Sequence, residues 1–347
     1  MIDITTKAEM SEKDGKLNPI SFDLNLSDFY KVWLVYILKC FLTLGIYAFY
    51  GTNKIRGYLA DKFLLAGDKF VYHGRARELF FGFVSVMVLT YFSLIICYLG
   101  VLLKYMDSFD FSLWSDAQMA IKLGVAFVFL SFVSQSISLV FTMIWPYLVI
   151  KYRASRISWR GVFARLDGHW MCYLWYVFLT FLHMLLLNIF APYIDVKRKS
   201  YIWNNLHFGN NKFNVNVSAK PLMMVNLVTM LLAIPTLFIS RFWYYAALDR
   251  HIYSGLSLNG LKMRSSVTGG GLAELQLLNC LLIIVTLGIA IPWIIKRNMK
   301  FYTDNHAFIG SVNDLDLSVQ NDGQVNDKSQ DYSFGCGYSL FGDIGFF

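Results

Sequence analysis

Long apolar runs alternate with short basic and polar turns along this chain. Runs extend from Val32 to Tyr50, Leu79 to Leu103, Leu123 to Ile150, Trp170 to Ile194, Pro221 to Ser240 and Leu275 to Ile295, and Lys39 in the first is their only charge. A hydrocarbon core about 30 Å thick needs about 20 helical residues, so each run predicts one crossing. The expected fold is all-α: a multi-pass transmembrane helical bundle of about six spans with internal repeats and short membrane-surface hairpins. A polar N-terminal segment (1–25) precedes the repeated transmembrane domain (26–310), and an acidic tail (311–347) follows it. Both ends have the composition of disordered chain. The first 30 residues lack an apolar stretch with a small-residue cleavage site, so no signal peptide is expected.

Self-similarity is the most informative feature. Moving TLGIYAFYGTNKIRGYLADKFLLAG, which starts at Thr43, by 243 positions lays it on TLGIAIPWIIKRNMKFYTDNHAFIG, which starts at Thr286. Thr43, Gly45, Asp61 and Gly67 fall on Thr286, Gly288, Asp304 and Gly310, and Lys54 falls on Arg297. A weaker copy 143 positions on places Lys197 at the Lys54 position and Asn204 at the Asp61 position. A truncated copy is WPYLVIKYR from Trp145, and another is suggested around Tyr244 to Gly260. Each copy reads as a helix weakened by Gly or Pro, an interfacial aromatic, a basic turn and a short polar hairpin. Within FLLAGDKFVYHG, Ala66-Gly67-Asp68 between apolar residues signals a turn, read as a small β-hairpin lying on the membrane, with an ordinary loop as the alternative.

The Thr-Leu-Gly-Ile turn, Pro292-Trp293 followed by Lys296-Arg297, and a distal Gly before a Phe-rich hairpin resemble the YjgN-like family of bacterial inner-membrane proteins of unknown function. The resemblance covers about residues 20 to 310. This chain departs from the family pattern in having Phe49-Tyr50 where Pro-Trp is expected, and in a degenerate copy after the third run. The resemblance implies a multi-pass location in the bacterial inner (cytoplasmic) membrane and carries over no substrate, cofactor or catalytic residue.

Composition agrees with a membrane setting. Apolar residues make up 56% of the chain and charged residues 16%, where a soluble chain carries about a quarter charged. The net charge of +8 sits in clusters at run ends, where anionic head groups are met, and not in a stripe suited to nucleic acid. Orientation by the positive-inside rule makes the loop with Lys54, Arg56, Lys62, Lys69, Arg75 and Arg77 cytoplasmic and the next, with Asp107, Asp110 and Asp116, external. Parity then fails. Lys197-Arg198-Lys199 follows the fourth run on what should be the outside, and basic clusters flank the sixth run on both sides. Either some basic clusters lie outside or a segment is re-entrant, with His183 and Asn188 in the fourth run and Gln135 in the third as places where a break is tolerated.

Polar residues inside apolar runs are the remaining leads: Lys39, His183, Asn188 and Gln135. Lys39 either faces a polar cavity beside Thr43 or snorkels. His183 predicts an interhelical hydrogen bond, and Asn188 and Asn226 predict helix–helix adhesion. The five cysteines form no CxxC pair and the six histidines are dispersed, so no catalytic, cofactor or metal residue is assigned, and enzymatic activity is not expected. The expected partners are membrane lipids, with anionic head groups at the basic turns. Three readings stand: a transporter or channel, which requires a membrane-depth cavity containing Lys39 or His183; a structural or lipid-interacting scaffold, which requires a solid body retaining anionic lipid; and, last, a membrane-embedded enzyme, which requires convergent acid, base or metal groups that the sequence does not display.

Overall fold

Short strands set the architecture. In the computed structural model, which describes residues 17–84, 146–185, 188–310 and isolated helical positions between 88 and 144, ten strands close into one antiparallel barrel. Four hairpins share one plan: three residues, a two-residue turn, five residues. They are β2 (Phe63–Leu65) with β3 (Asp68–Tyr72), β4 (Ile157–Trp159) with β5 (Val162–Leu166), β6 (Leu206–Phe208) with β7 (Asn211–Val215), and β8 (Leu256–Leu258) with β9 (Leu261–Ser265). Positive φ at both turn positions matches the twist of the strands; Ala66 and Gly67 (51° and 90°) and Asn259 and Gly260 (43° and 92°) supply it. Two strands far apart in the sequence make the fifth antiparallel pair. β1 (Leu17–Phe22) pairs with β10 (His306–Ile309) from Leu17↔Ile309 to Pro19↔Ala307, and with β2 from Ile20↔Leu65 to Phe22↔Phe63. Closure removes the sheet edges that would otherwise recruit other strands.

Alternate strand residues face opposite ways. One face carries Phe70, Trp159, Phe208, Phe213, Leu258 and Leu261, which belong to one core cluster. Trp159 on β4 meets Phe208 on β6, ring centroids 6.0 Å apart, although β5 lies between them. Such contact between non-adjacent strands needs the concave side, so this face is the barrel interior, and it is packed. The outer face presents Lys69, Arg165, Lys212 and Lys262, all exposed.

A pair of helices precedes each hairpin. They are α1 (Leu26–Leu42) and α2 (Tyr47–Ala60), α3 (Trp170–Leu185) and α4 (Ala191–Asn204), α5 (Lys220–Leu231) and α6 (Arg241–Ser254), and α7 (Gly269–Thr286) and α8 (Ile291–Asn305). Residues 76–84 and 146–156 are helical and hold the corresponding place before β4. There Glu78 accepts from Arg156 Nη2 at 2.7 Å and from the Tyr152 hydroxyl at 2.9 Å. Asn25 and Thr268 cap α1 and α7 by accepting from Ser27 N–H and Gly271 N–H. Pro192 and Pro292 open α4 and α8, where proline's missing N–H is no loss; Phe49 takes the place of Pro292 in α2. Because every strand hairpin turns at one end of the barrel, all helix pairs leave from the other end.

The turns joining the paired helices are one device used four times. The N–H groups of Gly45, Asn188, Phe238 and Gly288 donate to carbonyls five residues back, on Cys40, His183, Ala233 and Ile283, at 2.6–3.2 Å. The carbonyls of the same four residues accept from Ala48, Ala191, Arg241 and Ile291. In three units a threonine completes the turn: the hydroxyls of Thr43, Thr236 and Thr286 donate to the carbonyls of Lys39, Leu232 and Leu282 and accept from the N–H groups of Tyr47, Ser240 and Ala290. Gly288 sits at φ 91°, so Gly288→Ala is expected to lower stability by about 1 kcal/mol in a denaturant titration. An unchanged midpoint would show that the turn does not hold this angle.

These turns overturn the all-α six-span bundle. The fold is α/β, with a strand barrel at its centre, and the apolar runs fold back where they were expected to continue. Val32–Tyr50 breaks at Thr43–Ile46, Trp170–Ile194 at Asn188–Phe190, and Leu275–Ile295 at Leu287–Ala290, while Pro221–Ser240 is α5 followed by a turn. Among the described residues one helix, Gly269–Thr286, is long and apolar enough to cross a membrane, so the multi-pass topology is not supported. The runs Leu79–Leu103 and Leu123–Ile150 lie largely outside the described residues, as do Gln135, residues 1–16 and the tail from 311. Parity resolves at once: Lys54, Lys197 and Arg297 all sit on second helices that return to the same barrel end, so alternating sides were the wrong premise.

Candidate functional site

Two features stand out, one at each end of the helices. At the turns, Leu44, Leu237 and Leu287 are 95%, 83% and 91% exposed, with Ile46, Phe238 and Ile289 exposed beside them. The apolar surface continues down the first helices, through Leu34, Leu38 and Phe41 on α1 and Leu277, Leu281 and Ile284 on α7. From Leu34 to Leu44, or Leu277 to Leu287, is ten residues, or about 15 Å at 1.5 Å each. That is half of a hydrocarbon core about 30 Å thick. The backbone groups named above are bonded within each turn, and between Leu34 and Leu44 the exposed Lys39 is the one charge that interrupts the apolar surface. One helical turn towards the barrel, cations lie over aromatic rings: Lys197 over Tyr193 and Arg297 over Trp293, at 5.6 and 5.5 Å from the centroids.

At the barrel rim the second helices carry a polar collar. The residue seven before the first strand is Arg56, Lys199, Asp249 or Met299 in α2, α4, α6 and α8. Asp249 Oδ2 accepts from the Ser265 hydroxyl at 2.6 Å and lies 3.1 Å from His306 Nε2, while His306 Nδ1 meets the Tyr302 carbonyl at 2.8 Å. Burial pushes the Asp249 carboxyl pKa up, but the His306 hydrogen bond and charge, the Ser265 hydroxyl and Lys199 outweigh it and hold it below the usual range. Lys199 on α4 is half-buried. Desolvation lowers its ammonium pKa against the pull of Asp249 and Asp195. Asp195 itself accepts from the Tyr244 hydroxyl at 2.8 Å and from Arg198 Nη2 at 3.1 Å. Tyr253 closes the collar against His306, ring centroids 4.5 Å apart.

Ser265, His306 and Asp249 are the residue types of a hydrolytic triad in the wrong order. Serine and histidine both meet the same carboxylate oxygen, so no base is placed to take the serine proton. Among the described residues no group of three His, Cys, Asp or Glu is placed to hold a metal ion.

The leads read from the sequence are scattered over this frame. Lys39 is exposed, with its ammonium 5.2 Å from the centroid of Tyr47. His183 is buried, and among the described residues its Nδ1 bonds the Thr180 carbonyl of its own helix. Asn188 is a turn residue at φ 56°, and its carbonyl accepts from the Asn226 side chain at 3.0 Å, which ties α5 to the preceding pair. Of the repeat residues, Thr43, Gly45, Thr286 and Gly288 lie in helical turns, Gly67 in a barrel turn and Gly310 just after β10, while Lys54, Lys197, Pro292, Trp293 and Arg297 lie on the second helices. Asn204 pins β7, accepting from Val215 N–H at 2.6 Å, and its counterparts Asp61 and Asp304 are exposed. Sequence reasoning missed Lys199, Asp249 and the fourth turn, Thr236-Leu237-Phe238-Ile239. The signal for the last was its Thr-Leu…Ile frame, masked by Phe238 in place of glycine.

Two shallow surface grooves are found among the described residues. One of about 590 Å³ runs along Met224, Val228, Leu232, Ile239 and Trp243; the other, of about 200 Å³, lies between α1 and α2. Neither contains Lys39 or His183. Comparison with protein families matches residues 18–241 and 218–330 to one described as bacterial protein of unknown function (DUF898). Comparisons with curated proteins and with solved structures gave no match.

Proposed function

The chain belongs to the bacterial family of unknown function DUF898, and from the geometry of its helical turns we propose that the protein is a ring-shaped scaffold seated in one leaflet of the cytoplasmic membrane. The turns enter the lipid and the barrel stays at the surface. The observation that carries this reading is the repeated turn, with its internally bonded backbone and its exposed Leu44, Leu237 and Leu287. Unpaired main chain is not tolerated in hydrocarbon, and exposed apolar patches of this kind mark interaction surfaces. The aromatic–cation pairs sit where the interface would be. A cytoplasmic barrel follows from Lys54, Lys197, Arg297 and Lys300 on its side of the turns, facing an anionic leaflet.

A scaffold is preferred to a transporter because Lys39 and His183 lie outside both grooves and the barrel interior is filled by Phe70, Trp159 and Phe208. The test is flotation of the purified full chain, transferred from detergent to phosphatidylcholine vesicles and washed with alkaline carbonate. Retention with the vesicles is the expected result; recovery in the soluble fraction would overturn the reading.

A further inference from the structure

The two units related by 243 positions differ at one informative place. In the last unit Arg297 Nη2 on α8 bridges to Glu274 Oε1 on α7 at 3.2 Å. The corresponding residues of the first unit are Lys54 on α2 and Lys31 on α1. Both line the groove of about 200 Å³ between these helices, together with Val32, Val35, Tyr36 and Tyr47. What is an ion pair in one unit is therefore two like charges in the other. Lys31 touches the exposed Asp28 on its own helix at 3.1 Å, a contact worth little in solvent, and Lys54 has no ion-pair partner among the described residues. The groove floor is apolar: Gly51 lets the Tyr36 ring lie against the helix, where a Cβ would come within 2.2 Å of it. From that floor the exposed side chains of Leu38, Phe41 and Leu42 lead on to the turn at Leu44.

We infer that this groove binds one phospholipid with an anionic head group, its phosphate between Lys31 and Lys54 and an acyl chain along Val35, Tyr36 and Tyr47. The inference rests on the membrane-seated reading and adds a defined lipid site to it. Charge complementarity selects the occupant, since two ammonium groups over an apolar floor match a phosphate joined to a hydrocarbon chain. The groove also lies at the barrel end of the apolar surface, where head groups would be.

The test compares partition of the full chain into vesicles of phosphatidylcholine alone or mixed with phosphatidylglycerol. Lys31→Glu places an acid opposite Lys54, the arrangement the last unit already tolerates, and should reduce the preference for the mixed vesicles roughly fivefold while leaving partition into phosphatidylcholine unchanged. Glu274→Lys should open a second such site beside Arg297 and raise the preference by a similar factor. Lys69→Glu, on the outer face of the barrel, changes net charge equally and should leave the preference as it was. A wild-type chain that floats with both compositions without preference, or a Lys69→Glu loss equal to that of Lys31→Glu, would overturn the site but not the membrane seat. Failure to float with either would remove both.

Discussion

Replacing Leu44 and Leu287 together by aspartate is expected to release the protein from vesicles that retain the unchanged chain. At the centre of a bilayer leucine favours insertion by about 0.3 to 0.6 kcal/mol and aspartate opposes it by about 2.5 to 3.5, so each exchange shifts transfer by roughly 3 to 4 kcal/mol. Turns that reach half the hydrocarbon thickness place both residues near that centre. Folding should be spared, since the two side chains are 95% and 91% exposed, and circular dichroism checks it. A folded double variant that floats as before would show that the turns do not enter lipid.

The second large effect belongs to the collar. Asp249→Asn takes the charge from the acceptor shared by Ser265 and His306 and from the carboxylate nearest in effect to Lys199. Removing one partner of a buried charged cluster costs about 3 to 5 kcal/mol, read as a lower denaturation midpoint in detergent. The pH dependence has a definite sign. The folded pKa of Asp249 is depressed, so its contribution is present above the ordinary carboxylate range and is lost as pH falls through the folded value. The gap between wild type and Asp249→Asn should therefore narrow in acid. A gap that stays constant down to the acid limb, or one below about 1 kcal/mol at neutral pH, would show that the collar does not depend on this charge.

Much of the frame was written in the repeats. Thr43-Leu44-Gly45-Ile46 and its copy at Thr286 marked the helical turns, and Ala66-Gly67 marked a barrel turn. Their consequence was harder to read, because a turn built from Thr, Leu, Gly and Ile leaves hydropathy unchanged. A run of twenty apolar residues scores alike as one crossing or as two short helices folded back. Strands of three and five residues are too short for alternation to register, and β1 lies in a polar stretch whose partner is almost 290 positions away. Lys199 and Asp249 share a register fifty residues apart, an offset hidden by the degenerate middle copies. The failure of parity was the clearest warning: basic clusters at both ends of one apolar run fit a chain that returns to the side it left.

Site-directed labelling in intact cells tests the membrane seat most directly. Single cysteines at Ala66, Asn210 and Asn259 in the barrel turns, and at Leu44, Leu237 and Leu287 in the helical turns, would be placed in a cysteine-free chain. The three barrel positions should be shielded from an impermeant thiol reagent until the cells are opened and then react together, while the three helical positions stay protected until detergent is added. Barrel turns that react from opposite sides, or helical turns that react freely in water, would contradict a ring seated in one leaflet.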